Sequence, residues 1–267
     1  MSSGYSQLDA VLTYRTSMTT RNAAPLHSEI VTIEWVDHIG VEHIEVASPH
    51  LLERELFAAR AIRRGNRYPK QPNYHGLNWF GATRAHVWHE SLFERYAMLS
   101  LDMRHDIIAL AVQPMRMSFA DGGEHFPDFI ALHSDYRQTV YDVKPASLVS
   151  KKAQRQFDTT AIVCESVGWG YEVFSDADRQ LRTNVEWVAN FRHPAFDPPP
   201  LARQQLMDAL EGPLTLRDAS ACMKHDGWDA GIGGIYHLVW TGVLTLDLTQ
   251  TLSKSSIIRK TTHHVHA

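Results

Sequence analysis

Asp128 follows Pro127 in His125-Phe126-Pro127-Asp128-Phe129, at the head of an apolar run, and fourteen residues later a second such run closes in Asp142-Val143-Lys144. Side chains alternate across a strand, so Asp142 and Lys144 share one face. If the two runs pair as a hairpin, Asp128 joins them. Glu94, in Ser91-Leu92-Phe93-Glu94 near the start of a helical pattern, offers a third carboxylate. Carboxylates that hold one or two divalent ions, an attacking water and a cation beside the developing charge are what metal-assisted phosphodiester hydrolysis needs. Each piece alone has an ordinary reading: Pro-Asp is turn chemistry, Asp-x-Lys suits a solvated strand edge, and a lone helix Glu faces water. Their order gives the combination its weight.

Several elements must position these groups. Leu92, Tyr96, Leu99 and Met103 recur at helical spacing and give the Glu94 helix an apolar face. Strand-like runs follow at 106–112, 116–119, 126–132 and 139–143, then a helix over 149–167, a strand over 170–174 and a helix over 178–190. Upstream, 29–35 and 41–46 alternate around Asp37-His38-Ile39-Gly40 as a hairpin. A helical pattern runs from Leu51 to Arg64, and Tyr68 to Gly76 is a loop. Four prolines between Arg192 and Pro200 mark a domain boundary. Beyond it, helices at 201–211, 216–223 and 235–242 precede β-like pieces at 243–248 and 256–259, the layout of a winged helix. The expected organisation is an N-terminal β-hairpin unit (1–49), a catalytic α/β domain with a mixed sheet flanked by helices (50–192) and a winged-helix-like domain (201–267).

A helix Glu, a hairpin bearing Pro-Asp and Asp-x-Lys, and then a basic helix is the ordered pattern of PD-(D/E)xK nucleases, which have a restriction-endonuclease-like fold. The stretch from Ser91-Leu92-Phe93-Glu94 through Gln113-Pro114, His125-Phe126-Pro127-Asp128-Phe129 and Tyr141-Asp142-Val143-Lys144-Pro145 to Tyr171-Glu172-Val173 resembles the catalytic domain of TnsA-type transposase endonucleases. The resemblance covers roughly residues 50 to 190, and the tail is similar to that family's C-terminal half. It implies a Mg2+-dependent endonuclease, with Mn2+ able to substitute, that nicks double-stranded DNA at transposon ends beside a DDE-type transposase and an AAA+ regulator. It makes Glu94, Asp128 and Asp142 metal ligands, Val143 a further metal contact, and Lys144 the group that orients or helps deprotonate the water. Some family members carry Gln at the position of Asp142, where this chain has the carboxylate of the wider superfamily. Two other readings stand beside this one: a stand-alone restriction, repair or junction-resolving nuclease, and a catalytically silent adaptor that docks a transposase.

The net charge of −4 over 267 residues does not mark a nucleic-acid binder, so the basic groups that matter are local. Arg54, Arg60, Arg63, Arg64, Arg67 and Lys70 face only Glu53 and Glu55 within 51–70, and Lys151, Lys152 and Arg155 follow Lys144. Arg60, Arg63, Arg64, Lys151, Lys152 and Gln156 are the expected DNA contacts, and Gln154 is a further candidate for a phosphate or the attacking water. Trp79, Phe80 and Trp88 are expected in the core. His86 and His89 are three apart with Glu90 outside them, which is not zincin spacing. With a mean hydropathy of −0.28 and no long apolar run, neither a transmembrane helix nor a signal peptide is expected. Cys164 and Cys222 read as buried thiols of a cytoplasmic protein, nucleoid-associated when on DNA. No Gly-rich phosphate loop is present, so the chain is not expected to hydrolyse ATP.

Overall fold

The computed structural model describes residues 14–15, 30–62, 74–175, 178–223, 228 and 231–261. Among them the protein is mixed α/β, with six α-helices, several sheets and no barrel. The chain forms two compact units, one of Leu12–Met98 and Asp106–Asp176, the other of Met1–Val11, Leu99–His105 and Ala177–Ala267.

The first unit contains β1 (Tyr14–Arg15), β2 (Thr32–Val36), β3 (Glu42–Val46), β4 (Gly76–Phe80), β5 (Ala85–His89), the beginning of α1 (Leu92–Asp102), β6 (Ile107–Val112), β7 (Met115–Ser118), β8 (Glu124–His125), β9 (Phe129–His133), β10 (Gln138–Val143), α2 (Lys151–Val167) and β11 (Gly170–Phe174). Its main sheet has the order β1-β11-β10-β9-β6. Strands β6, β9 and β10 form an antiparallel meander, and β11 lies parallel to β10. A parallel neighbour requires a long crossover, which α2 supplies. That helix starts at Ser150, whose hydroxyl accepts the Ala153 N–H, and ends at Gly168 in the left-handed region (φ 96°). It buries Ala153, Phe157, Thr160, Val163, Cys164 and Val167, one face at helical spacing. Strand β10 is buried through Asp142, as expected for a central strand covered on both faces.

A second sheet, β3-β2-β7-β8, shares its core with the first: Ile33, Trp35, Met115 and Met117 cluster with Ile130, Val140, Phe157 and Val163. The hairpin expected to form a separate unit over 1–49 therefore belongs to the same core as the expected catalytic domain. Nor is the described part of the helix expected over 51–64, residues 51–62, an α-helix. Two 3-10 turns, Pro49–Glu53 and Leu56–Ala58, are followed by a bridge in which Arg60 N–H donates to the Val36 carbonyl at 2.8 Å. Leu51 and Leu56 are both fully buried, yet they would sit about 140° apart around an α-helix, so two short turns bury what one helix could not. Strands β4 and β5 form an additional two-stranded sheet that the sequence reading lacked.

The other unit holds α3 (Arg179–Val188), α4 (Pro200–Ala209), β12 (Leu214–Thr215), α5 (Leu216–Cys222), α6 (Gly231–Trp240), β13 (Leu244–Leu246) and β14 (Ile257–Lys260), with sheet order β12-β14-β13. Helix α6 is buried from Gly233 through Trp240. Trp187 of α3 meets Tyr236 of α6 edge-on at 6.4 Å, and Asn184 Nδ2 donates to the carbonyls of Leu248 and Gln250 at 2.7 Å. The division thus falls before α3, whereas the proline segment expected to separate domains at 192–200 lies inside this unit. Pro198 is buried, and Phe191 and Phe196 meet at 5.1 Å. Among the described residues no helix is long and apolar enough to cross a membrane.

Candidate active site

The β9–β10 register runs Ile130 to Val140 and Phe129 to Tyr141, and Asp128 and Asp142 follow where that ladder ends. Asp128 N–H donates to the Tyr141 carbonyl at 3.1 Å, and Val143 N–H donates to Asp128 Oδ2 at 2.6 Å. The two carboxylates are close enough that the Asp142 charge acts on Asp128. Val140 lies in the core beneath α2, so alternation turns Asp142, and Lys144 after it, toward that side. Lys144 extends the parallel ladder, its N–H donating to the Phe174 carbonyl at 2.8 Å, and is half-buried.

Asp142 is buried, and its Oδ2 accepts two bonds, from the Tyr171 hydroxyl at 2.5 Å and from His125 Nε2 at 2.9 Å. Gln156 Nε2 lies 2.7 Å from His125 Nδ1 and 3.4 Å from the Glu124 carbonyl. An amide nitrogen that serves a carbonyl is a donor, so Nδ1 accepts and the imidazole carries its proton on Nε2, where it donates to Asp142. Burial and then the Asp142 charge push the Tyr171 pKa upward, which keeps its hydroxyl a donor. Strands β8 and β11 thus donate to one carboxylate oxygen of β10, and α2 holds the β8 donor through Gln156. Neither bond engages Oδ1.

Glu94 occupies a capping box at the start of α1. Its N–H donates to Ser91 Oγ at 3.1 Å, its Oε1 accepts from that hydroxyl at 3.0 Å, and its Oε2 accepts the Glu90 N–H at 2.7 Å. The expected ligand thus has both carboxylate oxygens engaged at its own helix terminus, and a ligand role would require giving those bonds up. Its charge still reaches Asp128, whose pKa is raised well above the carboxylate range by burial, then by Asp142 and by Glu94. Burial also raises the Glu94 pKa, against the opposing bonds from Glu90 and Ser91. Glu90, which the sequence reading did not assign to the acid group, adds repulsion to both, and its Oε1 is buried without a hydrogen-bond partner. Gln113, in the left-handed region (φ 43°), donates its N–H to the Asp128 carbonyl at 2.8 Å and likewise buries an unpartnered side-chain oxygen.

No protein-family model matches the chain, and no curated protein matches it.

Among the described residues, no three His, Cys, Asp or Glu side chains stand together as a group that could hold a metal ion. The donors brought together are the Asp128–Asp142 pair, which suits Mg2+, since that ion is commonly held by one or two carboxylates and keeps several waters. The orphaned Glu90 oxygen is a further anionic atom that a cation or its waters would satisfy. Val143, expected as a metal contact, uses its N–H to hold Asp128.

The expected DNA contacts divide. Lys151 and Lys152 are exposed in the first turn of α2, which carries no acidic residue, so they add to the positive end of the helix dipole. Gln156 is engaged by His125, and Gln154 donates to Asp158 at 2.9 Å. Arg60 holds the β2–β3 turn, with Nε and Nη2 at 3.1 and 2.8 Å from the His38 carbonyl, and Arg54 pairs with Glu45 at 2.8 Å. Arg63 and Arg64 lie outside the described residues. His86 and His89 fall on opposite faces of β5, one exposed and one buried, so they cannot share an ion. Cys164 is buried as expected, whereas Cys222 is only half-buried; neither is in a disulfide.

Proposed function

We propose that this chain is a metal-dependent DNA endonuclease of the PD-(D/E)xK class that uses Mg2+ or Mn2+, and that it nicks double-stranded DNA beside a DDE-type transposase and an AAA+ regulator. The observation that carries the chemistry is the proximity of Asp128 and Asp142 at the end of the β9–β10 ladder, where the Asp142 charge acts on Asp128 and Val143 N–H holds its carboxylate, with Lys144 following on the Asp142 side. Like charges held this close are unfavourable, so the arrangement suits a role that a cation relieves. The order helix α1, meander β6-β9-β10, helix α2 and parallel strand β11 agrees with a restriction-endonuclease-like core. The order α4-β12-α5-α6-β13-β14 agrees with a winged helix. Its third helix is buried and carries no Lys or Arg, which favours protein docking over base reading for that unit. The TnsA-type assignment and its partners rest on the order of motifs.

A bound Mg2+ would lower the pKa of a coordinated water and offset charge building on the phosphate. Asp128 and Asp142 would hold it. His125 and Tyr171 fix Asp142 through Oδ2, and neither takes up Oδ1. The Lys144 ammonium orients the attacking water or counters charge on the scissile phosphate, while Lys151 and Lys152 take neighbouring phosphates.

The test is cleavage of supercoiled plasmid by the purified chain. Nicking is expected in Mg2+ or Mn2+, and none in Ca2+, in EDTA, or with Asp128→Asn or Asp142→Asn. Cleavage that persists in EDTA or in both variants overturns the reading.

A further inference from the structure

We infer that the β4–β5 hairpin is a base-stacking finger that takes unstacked nucleobases of the DNA beside the candidate active site, an inference that rests on the nuclease reading above. The register pairs Leu77 with Trp88 and Trp79 with His86, and alternation places all four on one face. That face is open. Leu77 is 62% exposed and Trp79 and Trp88 are each 38% exposed, with Tyr74 beside the hairpin at 73%. The opposite face anchors it, since Asn78, Phe80 and His89 are buried. A lone two-stranded hairpin is marginal in water, and the buried face anchors this one while the aromatic face stays open. Of the tryptophans and phenylalanine expected in the core, only Phe80 is there.

Three observations select nucleic acid as the occupant. Two tryptophan faces are presented beside imidazoles, with His75 and Trp88 5.2 Å apart at a 31° tilt and His86 meeting Trp79 edge-on at 5.4 Å and 74°. Every base has a π-face to lay on such rings. Charge agrees: residues 74–89 contain no Asp or Glu in a chain of net charge −4, and the turn presents exposed Arg84. The hairpin itself offers a phosphate-bearing strand a cation and imidazoles and none of its own carboxylates. The finger also runs into the candidate active site, because β5 ends at His89, whose Nδ1 lies 3.1 Å from the Ser91 carbonyl, and Glu90 follows directly. Unpaired bases laid on Trp79 and Trp88 would therefore belong to the strand that the acid pair cuts.

The experiment uses the full chain in Ca2+ with two fluorescein-labelled probes, a plain duplex and the same duplex carrying a run of unpaired thymines. The wild type should prefer the probe with unpaired bases and show quenching of its tryptophan fluorescence. Trp79→Leu and Trp88→Leu should each weaken that probe by about tenfold, the scale of one base–aromatic stack, and leave the plain duplex within about twofold. Trp79→Phe and Trp88→Phe keep a ring and should recover most of the affinity, which separates stacking from a folding defect. Leu variants that bind both probes like the wild type, while the wild type nicks plasmid, overturn the finger and leave the nuclease reading standing. A wild-type chain that neither binds nor nicks overturns both. If sedimentation shows a dimer that the Leu variants dissolve with DNA affinity intact, the face belongs to a second copy and the inference fails.

Discussion

Replacing Tyr171 with Phe removes one oxygen and keeps the ring. Tyr171 is buried, as is Asp142, so no water reaches the gap and the apolar burial is unchanged. What is lost is a bond of 2.5 Å to Asp142 Oδ2, one of two that this oxygen accepts. A hydrogen bond to a charged group contributes about 1.5–3 kcal/mol, and one that water cannot replace falls in the upper part of that range. His125 remains as a donor, which prevents the larger penalty of an unaccompanied buried carboxylate. The expected destabilisation is about 2–3 kcal/mol, read by urea unfolding, or a drop of about 4–12 °C in Tm for a chain of this size. A double-mutant cycle with Asp142→Asn should show coupling of about 1 kcal/mol or more, because the neutral amide accepts more weakly. If the bonds also orient Asp142 toward a metal, Mn2+ affinity should fall about 10- to 100-fold in Tyr171→Phe. A stability change under about 0.5 kcal/mol with no coupling would refute the account of the network.

In EDTA, Asp128→Asn should flatten the pH dependence of stability. The folded-state pKa of Asp128 is raised, so its contribution is fully present below the unfolded value of about 3.9 and is lost as pH rises through the folded value; calorimetry of both proteins at pH 5 and pH 7.5 should show the wild type losing more Tm between them, and parallel curves would contradict this. Lys144→Ala should keep Ca2+-supported DNA affinity and lower single-turnover cleavage by about 100-fold or more, with Lys144→Arg a poor rescue, since a group acting in the transition state affects rate more than binding; wild-type rates in either variant would remove Lys144 from the chemistry. Ser91→Ala should cost about 0.5–2 kcal/mol in urea unfolding, and Glu94→Gln less, because Gln also completes a capping box; the reverse ranking would mean that Glu94 does more than cap.

The acid pair was legible because it needs only local rules. Alternation puts Asp142 and Lys144 on one side, and a short turn after His133 sets a register that carries Asp128 to Asp142. The same holds for α2 and β11, where the period changes from two to helical and back with Gly168 between them, and the strand expected over 170–174 is the strand observed. The partners of Asp142 were not legible. His125 and Tyr171 lie 17 and 29 residues away on other elements, and no local pattern reports such distances. Glu94 carried an unread signal, since Ser-x-x-Glu before an apolar run is a capping box in its own right. The β4–β5 hairpin was missed because apolar residues occupy both of its faces, Leu77 and Trp79 on one and Phe80 on the other, which erases the alternation that identifies a strand. The unit boundary was misplaced for a related reason: consecutive prolines announce a break in helix, and here the broken segment is itself packed, with Pro198 buried.

The turn between β9 and β10 carries an obligation that its position conceals. Residues Ser134, Asp135, Tyr136 and Arg137 are exposed, the kind of tip where chains ordinarily tolerate added or lost residues. Yet the pairing that sets Asp128 against Asp142 is counted from this tip, five residues of β9 away, about 17 Å along the strand. Losing or gaining one residue there would slide the ladder and turn Asp128 to the face opposite Asp142, while most backbone bonds of the sheet could re-form. A change of two would restore the facing but carry Asp128 past its counterpart by a full pleat. Insertions in this loop are therefore a form of inactivation at a distance: they would leave a folded chain whose two acids no longer meet, and Tyr136, held at φ 65°, marks the bend whose length keeps that count.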